Sequence, residues 1–590
     1  MLAVEALRVF PTLYAMLTQI EAVRLADIES ELELSSVTAG TVLFNEGDPA
    51  TDGFILVRGR LGVFVGSNPD ALPIAEVSPG ELVGEMAMLS QEPRSATIVA
   101  LRDSDLVRVP QRAFDLMTES SPQVSRLIMR LLAARLERTS RSNVVSRATQ
   151  NVAVVPITVA AADLQFVPQL AEAFTAMGRR VVTIDHDSRQ LESDRLQLAA
   201  EEHGLVIYVA DGAASEWGRR CIRQSDSVLF VAGSNSRRVE SAAEAVAYAR
   251  GLRRKVELVL LNPPERALPE GGSSWLDLFP CDRILHVRTG AAVDLARIAR
   301  FVLRRAVGLV FSGGGARGFA HLGVYKAFVD SGIPVDLIGG TSMGAIVGAA
   351  IAQGLTPDAI AEKMRHAFVR NNPFNDYTVP IVSLARGRRM TALIKYHFGD
   401  ARIEDMWKTY FCVSTNLSSG TLHVHRDGSL WHGLRASGAV PGLLPPDIIG
   451  GQILVDGGLM DNFPTSIMRA LARGPVVGVD VSSGSSFECG VNDIENKSLY
   501  WMLGKGRKQV PGMLKILMRA GTVNGEIQSI ASRAAADVLI HPELSAYDIL
   551  SWQSFDTIVD LGYRAGLEAI RQNESLLTGV SAKTETTRTQ

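Results

Sequence analysis

The pattern of apolar and polar residues divides the chain into segments of different character. Residues 30–112 contain short β-branched runs separated by Gly, Asp and Pro, as in Gly47–Gly53 and Ser78–Gly80. This spacing predicts a small β-barrel or jelly roll. Residues 113–147 then place apolar side chains three or four positions apart, which is typical of a helix packed along one face.

Apolar strands and helices alternate through the middle of the chain. The strands are predicted at residues 152–157, 181–184, 204–209, 227–231 and 256–261. This alternation predicts a parallel α/β domain. Because the segment contains no GxxxxGK[ST] phosphate-binding motif, we expect it to be a non-catalytic spacer.

Two glycine-framed turns follow, each entered from an apolar strand. In the second turn, Ser342 stands between a predicted strand at 333–339 and a predicted helix at 343–353. A serine at such a corner is typical of a nucleophile elbow, whose strained backbone needs small neighbours and whose helix favours negative charge at its start. The elbow residues around the serine are Gly340, Thr341, Met343 and Gly344.

The first turn, Gly313–Gly318, follows Val310-Phe-Ser312 and reads GGGARG. Consecutive glycines let backbone N–H groups converge on one point at a helix start, which predicts an oxyanion hole. The candidates on this ground are Gly313, Gly314 and Gly315. The alternative is a dinucleotide-binding fingerprint, but that motif needs an acidic residue closing the next strand, and Asp336 precedes the strand core.

A serine nucleophile also needs a base. Asp456 follows the apolar strand 452–455 and precedes Gly457 and Gly458, so a tight turn would direct its carboxylate out of the strand end. An ordinary turn aspartate is the alternative. No recognisable triad setting surrounds the histidines after Ser342, which are His366, His397, His423, His425, His432 and His541.

The motifs GGGARG, GTSMG and DGG, in this order, resemble the patatin-like phospholipase family. The resemblance implies Ser342 as nucleophile, Asp456 as base, and an oxyanion hole extending from Gly313 through Ala316 and Arg317 to Gly318. It also implies a patatin-like α/β hydrolase with a parallel central sheet over residues 306–482. The small-residue segment 436–446 resembles the family's loop between nucleophile and base.

The front segment also contains residues that could bind a ligand. Gly84 and Glu85 open a short helix, and Arg94, Ser95 and Ala96 follow it. Arg94 could neutralise a phosphate and Glu85 could accept from a ribose hydroxyl. These residues resemble the phosphate-binding cassette of cyclic-nucleotide-binding domains, which implies cAMP or cGMP as an allosteric ligand. A structural ion pair between Glu85 and Arg94 is the alternative.

Composition bears on the number of domains, the partners and the location of the protein. The 590 residues suggest about four domains. Because 60 basic residues nearly balance 63 acidic ones, we expect no nucleic-acid partner, and we interpret Arg130, Arg135, Arg138 and Arg141 as a solvated face. Four scattered cysteines indicate a cytoplasmic protein. No apolar run reaches about 18 residues, so membrane contact would be peripheral, at the inner face.

The whole order resembles the bacterial relatives of neuropathy target esterase, which hydrolyse lysophospholipids and other carboxylic esters. The predicted domains are a cyclic-nucleotide-binding-like domain at 15–145, an α/β spacer at 150–305, the hydrolase at 306–482, and a helical extension with a disordered tail at 483–590. We therefore expect a serine esterase acting on lipid esters, without a metal or catalytic cofactor. The alternative is a catalytically silent signalling scaffold.

One segment of the extension could contact lipid. Residues 501–519 combine apolar and basic side chains without an acid. They could lie on an anionic membrane or form a packed helix pair. The sequence does not predict an oligomeric state.

Overall fold

The computed structural model contains two compact units. The first comprises residues 1–159, 180–231 and 239–257, and the second comprises residues 160–179, 232–238 and 258–590. The residues that the structure describes are 6, 8, 11–17, 22–66, 73–126, 129–130, 149–158, 163–191, 204–236, 241–276, 279, 281–471, 474–482, 495, 501 and 532–578.

The front of the first unit is a sandwich of two four-stranded antiparallel sheets, as the short β-branched runs predict. One sheet contains Glu33–Val37, Ser104–Pro110, Asp52–Arg58 and Leu82–Val83, and the other contains Val42–Phe44, Thr97–Ala100, Leu61–Phe64 and Ala75–Val77. Their facing apolar side chains, among them Leu56, Leu61, Ile98 and Leu106, form a buried core. The predicted all-β sensor fold is therefore confirmed.

Among the described residues, helices that accompany this sandwich span Pro11–Leu17, Ala22–Glu31, Glu85–Ser90 and Gln111–Ser120. Phe114 and Met117 of the last helix pack with Leu17, Ile28 and Val107 in a second buried cluster. The helix predicted at 113–147 is thus present at its start, while residues 131–148 lie outside the described ranges.

The spacer segment has the predicted α/β character. Strands Arg180–Ile184, Gly204–Val209, Asn151–Pro156 and Ser227–Gly233 lie side by side in that order and run parallel. Lys255–Asn262 is also a strand, and Arg283–Arg288 is one that the apolar runs did not predict. The helices of this segment span Asp163–Ala176, Glu216–Gln224, Ser241–Gly251, Gly272–Leu276 and Ala292–Val302.

The second unit is built on an eight-stranded sheet. Its central strands Gly308–Phe311, Leu337–Thr341, Thr409–Asn416 and Val476–Val479 are parallel. An antiparallel edge is formed by Thr421–His425, Gln452–Asp456 and Asp447–Ile449. The mostly parallel sheet confirms the predicted hydrolase fold class. Helices on this unit span Phe319–Asp330, Met343–Ala352, Pro357–Met364, Arg388–Phe398, Leu430–Ser437, Thr465–Leu471, Phe555–Gln572 and Glu574–Thr578.

Part of the predicted C-terminal extension completes this sheet. Val538–Ile540 pairs in parallel with Val476–Val479, although the hydrolase segment was predicted to end at residue 482. Helix Phe555–Gln572 packs closely against helix Phe319–Asp330. A Cβ added to Gly562 or to Gly323 would overlap the backbone of the other helix. Three predicted features lie outside the described residues: Cys489, the basic segment beyond Trp501, and the tail from residue 579.

Three further findings concern the described residues only. No helix there is long and apolar enough to cross a bilayer. No group of three or more His, Cys, Asp and Glu side chains there could hold a metal ion. Cys412 is a buried free thiol.

Candidate active site

Ser342 occupies the corner between strand Leu337–Thr341 and helix Met343–Ala352. Its φ of +54° and ψ of −120° are rare for a residue with a side chain. The turn is tight because a Cβ on Gly340 would lie 2.6 Å from the carbonyl carbon of Gly344. The structure therefore contains the strained strand-to-helix turn that the GTSMG pattern predicts.

The register of the sheet brings Asp456 to this corner. Thr341 pairs with Val413, and Asp456 pairs with the next residue of the same strand, Ser414. Strand Thr421–His425 occupies the other edge of that strand, so Thr341 and Asp456 share one edge. Ser342, directly after Thr341, consequently lies beside Asp456.

The Ser342 side chain lies beside the Asp456 carboxyl group, close enough to lower its pKa. Asp456 is buried, with 6% of its area exposed, and its Oδ1 accepts from the Gly458 N–H at 2.8 Å. Burial raises the pKa of Asp456 to about 6, although the Gly458 N–H and the Ser342 side chain oppose that rise. A carboxylate that titrates near neutral pH suits a general base.

The glycine-rich turn lies against the same corner, since a Cβ on Gly313 would be 3.2 Å from the Ser342 Cβ. Within the turn, three N–H groups are already bonded: Gly313 donates to the Asn462 carbonyl, Ala316 to the Ile549 carbonyl and Arg317 to the Gly314 carbonyl.

Gly314 and Gly315 complete the turn. Their N–H groups donate to no other residue among those the structure describes, and both residues are half-buried. Gly315 has a φ of +57°, so the chain needs a glycine at that position. Of the six candidate residues, Gly314 and Gly315 therefore have available donors, and Gly318 lies at the end of the turn against Met343.

Two polar residues at the site had not been predicted. Ser437 is fully buried, and its Oγ accepts from the Ser342 N–H at 2.9 Å, which supports the strained turn. Asn462 donates to the Gly313 carbonyl at 3.3 Å, and its Oδ1 also lies near Gly458. Ser437 stands in the small-residue segment that the sequence analysis had marked, but the sequence around Asn462 carries no motif that indicates its place.

Histidines occupy other positions. His425 bonds Ser414 through its Nε2 at 2.8 Å, and burial lowers the pKa of His425 to about 3. His321 bonds the Ser312 carbonyl at 2.9 Å, and burial lowers its pKa to about 4. Both rings are therefore neutral at pH 7, and each supports a strand or turn that leads to the site.

An apolar pocket begins one helical turn after Ser342. Ile346 lines it together with side chains from two neighbouring helices and the loop between them. Its lining includes Met364, Phe368, Pro373, Met390, Ile394 and Phe398. Such a surface suits the hydrocarbon part of a substrate.

In the first unit, the predicted cassette residues form one cluster. Gly84 has a φ of +85° and starts the helix that carries buried Glu85. Arg94 is also buried, donates to the carbonyl oxygens of Gly84 and Asp52, and stacks on the Phe44 ring at 4.1 Å. The Arg94 Nε has no hydrogen-bond partner in the described part of the chain. Ser95 is exposed and Ala96 is half-buried.

Comparison with protein families gives three matches. Residues 309–469 match the patatin-like phospholipases, residues 34–121 match the cyclic nucleotide-binding domain, and residues 148–300 match the P-loop like domain of the neuropathy target esterase family. The spacer thus corresponds to a P-loop like domain, although it lacks the phosphate-binding signature.

Relatives match nearly the whole chain. Mouse patatin-like phospholipase domain-containing protein 6 is 28% identical over 95% of this chain and 47% of its own length. Neuropathy target esterase sws of Drosophila melanogaster is 28% identical over 90% and 42%, and lysophospholipase NTE1 of Mycosarcoma maydis is 28% identical over 92% and 34%. The chain therefore spans less than half the length of these curated relatives.

Solved structures align with smaller parts of the chain. A cyclic nucleotide-binding domain from Methylobacillus flagellatus is 23% identical, covers 23% of this chain and 83% of its own, and has a TM-score of 0.20. The structure described as "Sp-2Cl-cAMPS bound to PKAR CBD2" is 21% identical over 22% and 85%, with a TM-score of 0.18.

The three domain matches occur in the order that the sequence predicted, and the relatives align with 90% or more of this chain. The chain thus contains a segment that matches the patatin-like phospholipases behind one that matches the cyclic nucleotide-binding domain, and over most of its length it is similar to neuropathy target esterase and its relatives.

Proposed function

We propose that the protein is a serine esterase that hydrolyses acyl esters of lysophospholipids or phospholipids through Ser342 and Asp456. The observation that carries the proposal is that the sheet register brings the Ser342 side chain beside the buried Asp456 carboxylate. The substrate class is supported by the relatives, one of which is named a lysophospholipase, and by the apolar pocket beside Ser342.

In the acylation step, Asp456 accepts the hydroxyl proton while Ser342 Oγ attacks the ester carbonyl carbon. The negative charge that develops on the carbonyl oxygen is stabilised by the N–H groups of Gly314 and Gly315. The protonated Asp456 then returns its proton to the departing alcohol oxygen, which leaves an acyl-Ser342 ester.

In the deacylation step, Asp456 removes a proton from water as the water attacks the acyl-enzyme carbonyl. Collapse of that intermediate releases the fatty acid, and Asp456 returns the proton to Ser342 Oγ, which restores the hydroxyl. The apolar side chains around Ile346 contact the acyl chain next to the reacting carbonyl in both steps.

The experiment is labelling with a fluorophosphonate serine probe, together with hydrolysis of a lysophospholipid and of a soluble short-chain ester. We expect Ser342→Ala to abolish labelling and to lower turnover by at least about 10³-fold, and Asp456→Asn to lower both sharply. Ser331→Ala, at an exposed serine, is the matched control and should behave like the wild type. Equal labelling and turnover in the wild type and in Ser342→Ala would refute the assignment.

A second candidate function is cyclic-nucleotide control of ester turnover. The buried Arg94 Nε that lacks a hydrogen-bond partner among the described residues could donate to the phosphate of cAMP or cGMP. Calorimetry with each nucleotide would test this, because Arg94→Ala should remove binding while Ser95→Ala should weaken it less. Nucleotide binding without probe labelling of the wild type would instead favour the silent signalling scaffold.

A further inference from the structure

An exposed apolar loop connects two residues that line the apolar pocket. The loop comprises residues 374–387, between Pro373 and the helix that begins at Arg388 and carries Met390. Isolated apolar side chains are common on protein surfaces, but several within a few positions form a patch that calls for a partner. The exposed fractions are 69% for Tyr377, 74% for Val379, 87% for Ile381 and 65% for Val382.

The loop is held in this exposed position by backbone hydrogen bonds. Tyr377 and Ala385 form an antiparallel bridge, and the Thr378 N–H donates to the Leu384 carbonyl at 2.9 Å. Leu384 in turn donates to the Gly442 carbonyl at 2.8 Å, which ties the loop to the segment between Ser437 and Asp456. The apolar tip is therefore part of an ordered turn and projects from the protein.

The position of the loop connects it with the candidate active site. Pro373 lies just before the loop and Met390 just after it, and both share the pocket with Ile346, one helical turn from Ser342. The loop is therefore joined at both ends to the apolar lining that contains Ile346.

Positive charge accompanies the apolar tip. Arg386, Arg388 and Arg389 follow it and are all exposed. Asp376 is the single acidic residue between positions 371 and 395, and its carboxylate accepts from the Arg389 backbone N–H at 3.1 Å. An apolar tip beside arginines complements an anionic lipid surface, where the tip enters the acyl region and the arginines contact the headgroups.

Two exposed tyrosines also favour contact with a membrane surface. Tyr377 lies at the base of the tip, and Tyr396 is 73% exposed on the helix that begins at Arg388, with its ring stacked on His366. Tyrosine is favoured at membrane interfaces because its ring is apolar and its hydroxyl is polar. The apolar tip, the arginines and the tyrosines are therefore the residue types that a bilayer surface favours.

We propose that residues 377–382, with the arginines at 386, 388 and 389, dock the protein on anionic bilayers and admit lipid from the bilayer to Ser342. The admission of lipid rests on the proposed esterase function, whereas the docking itself does not.

The test is co-sedimentation of the full chain with vesicles of phosphatidylcholine alone or with added phosphatidylserine. All proteins carry Ser342→Ala, so that the vesicles stay intact. We expect the double variant Val379→Ser/Ile381→Ser to bind phosphatidylserine vesicles about tenfold or more weakly, because two apolar side chains no longer enter the bilayer. Val293→Ser is the matched control, since Val293 is 76% exposed but far from the loop in sequence, and it should leave binding unchanged.

A second variant tests the charged part separately. Arg386→Glu/Arg388→Glu should lower binding to phosphatidylserine vesicles, and added salt should reduce the difference from the unaltered loop. Unchanged binding by both double variants would overturn the proposal, as would equal losses in the Val293 control.

Hydrolysis of a soluble ester distinguishes the docking proposal from the proposed esterase function. In proteins that retain Ser342, the loop variants should hydrolyse a short soluble ester at the wild-type rate and vesicle lipid more slowly. Absence of ester turnover in the wild type would refute the proposed function, while the sedimentation result would still decide whether the loop docks on membranes. Wild-type thermal transitions in the variants would show that they are folded.

Discussion

Ser342 and Asp456 lie side by side although the two residues belong to different strand ends of the sheet. They meet because Thr341 and Asp456 pair with consecutive residues, Val413 and Ser414, on one edge of a shared strand. A one-residue slip of either pairing would turn the side chains to opposite faces of the sheet. The sheet register therefore fixes the candidate dyad.

The pH dependence of turnover should report the ionisation of Asp456. Burial raises the pKa of this carboxyl group to about 6, and only the ionised form can accept the Ser342 proton. We expect kcat/KM for a soluble ester to be constant above about pH 7 and to fall toward a tenfold loss per pH unit below about pH 6. Steady-state kinetics in buffers of constant ionic strength would measure this profile.

Asp461 provides the control for that profile. Burial also raises the pKa of Asp461 to about 6, but its Oδ1 accepts from the Phe463 N–H at 3.0 Å and does not bond Ser342. The acidic limb should therefore remain in Asp461→Asn. A limb that vanished in this variant, or a flat profile down to pH 4.5 in the wild type, would contradict Asp456 as the base.

Asp456→Asn should increase stability while it removes activity. The folded pKa of Asp456 lies above its ordinary value of 3.8, so ionising this buried group opposes folding at neutral pH. Because a tenfold change in an ionisation constant corresponds to about 1.4 kcal/mol, the amide should stabilise the domain by roughly 2 to 3 kcal/mol at pH 7. It retains an oxygen that can accept from the Gly458 N–H.

The stability difference between Asp456→Asn and the wild type should also depend on pH. The cost of the carboxylate is present above the folded pKa, about 6, and is lost as the pH falls toward 3.8. Thermal unfolding should therefore show a higher transition temperature for Asp456→Asn at pH 7 and a smaller difference near pH 4. A variant less stable than the wild type at pH 7 would show that the carboxylate stabilises the fold.

The sequence predicted the parts of the site that local rules control. Ser342 and Asp456 could be found because each stands where an apolar strand ends in a glycine turn, and five of the spacer strands could be found because they are continuous apolar runs. The strand Arg283–Arg288 was missed because charged residues begin and end it, and Val538–Ile540 because it is only three residues long.

The contacts that select among the glycine-turn donors depend on residues far apart in the chain. The Ile549 carbonyl accepts from the Ala316 N–H at 2.8 Å, and the Asn462 carbonyl accepts from Gly313 at 3.1 Å. Neither partner carries a motif, and Ile549 belongs to the segment that connects strand Val538–Ile540 with helix Phe555–Gln572. Only tertiary packing therefore distinguishes Gly314 and Gly315 from their neighbours.

Gly315→Ala should impair the proposed oxyanion hole. Gly315 has a positive φ, and an added Cβ would overlap the Ile549 carbonyl, so the turn would have to move. We expect kcat to fall by about 10² to 10³, the usual effect of losing one such donor, with a smaller change in KM. Gly332→Ala is the matched control, since Gly332 also has a positive φ but no described atom lies within 4 Å of the added Cβ. Equal kinetics in the two variants would contradict a role for Gly315.

The helix Phe555–Gln572 should support the glycine turn from a distance. Gly562 lies so close to the Ala320 carbonyl that a larger residue would separate this helix from the helix that begins at Phe319. The Phe555 ring, at the start of the C-terminal helix, lies 4.7 Å from the Phe319 ring, and Ile549 just before it bonds the turn. Displacing the helix would therefore disturb the donors of the proposed oxyanion hole.

We expect Gly562→Leu to lower kcat for a soluble ester by at least about tenfold, with the loss greater than any change in KM, because the donors act mainly on the transition state. Arg564→Leu introduces the same residue on the same helix, where the Arg564 side chain is 73% exposed and pairs only with Asp560 among the described ion pairs. Since such surface pairs contribute little, that control should keep wild-type kinetics. If Gly562→Leu were folded and fully active, the helix would be structural only, and the glycine turn would hold its conformation without it.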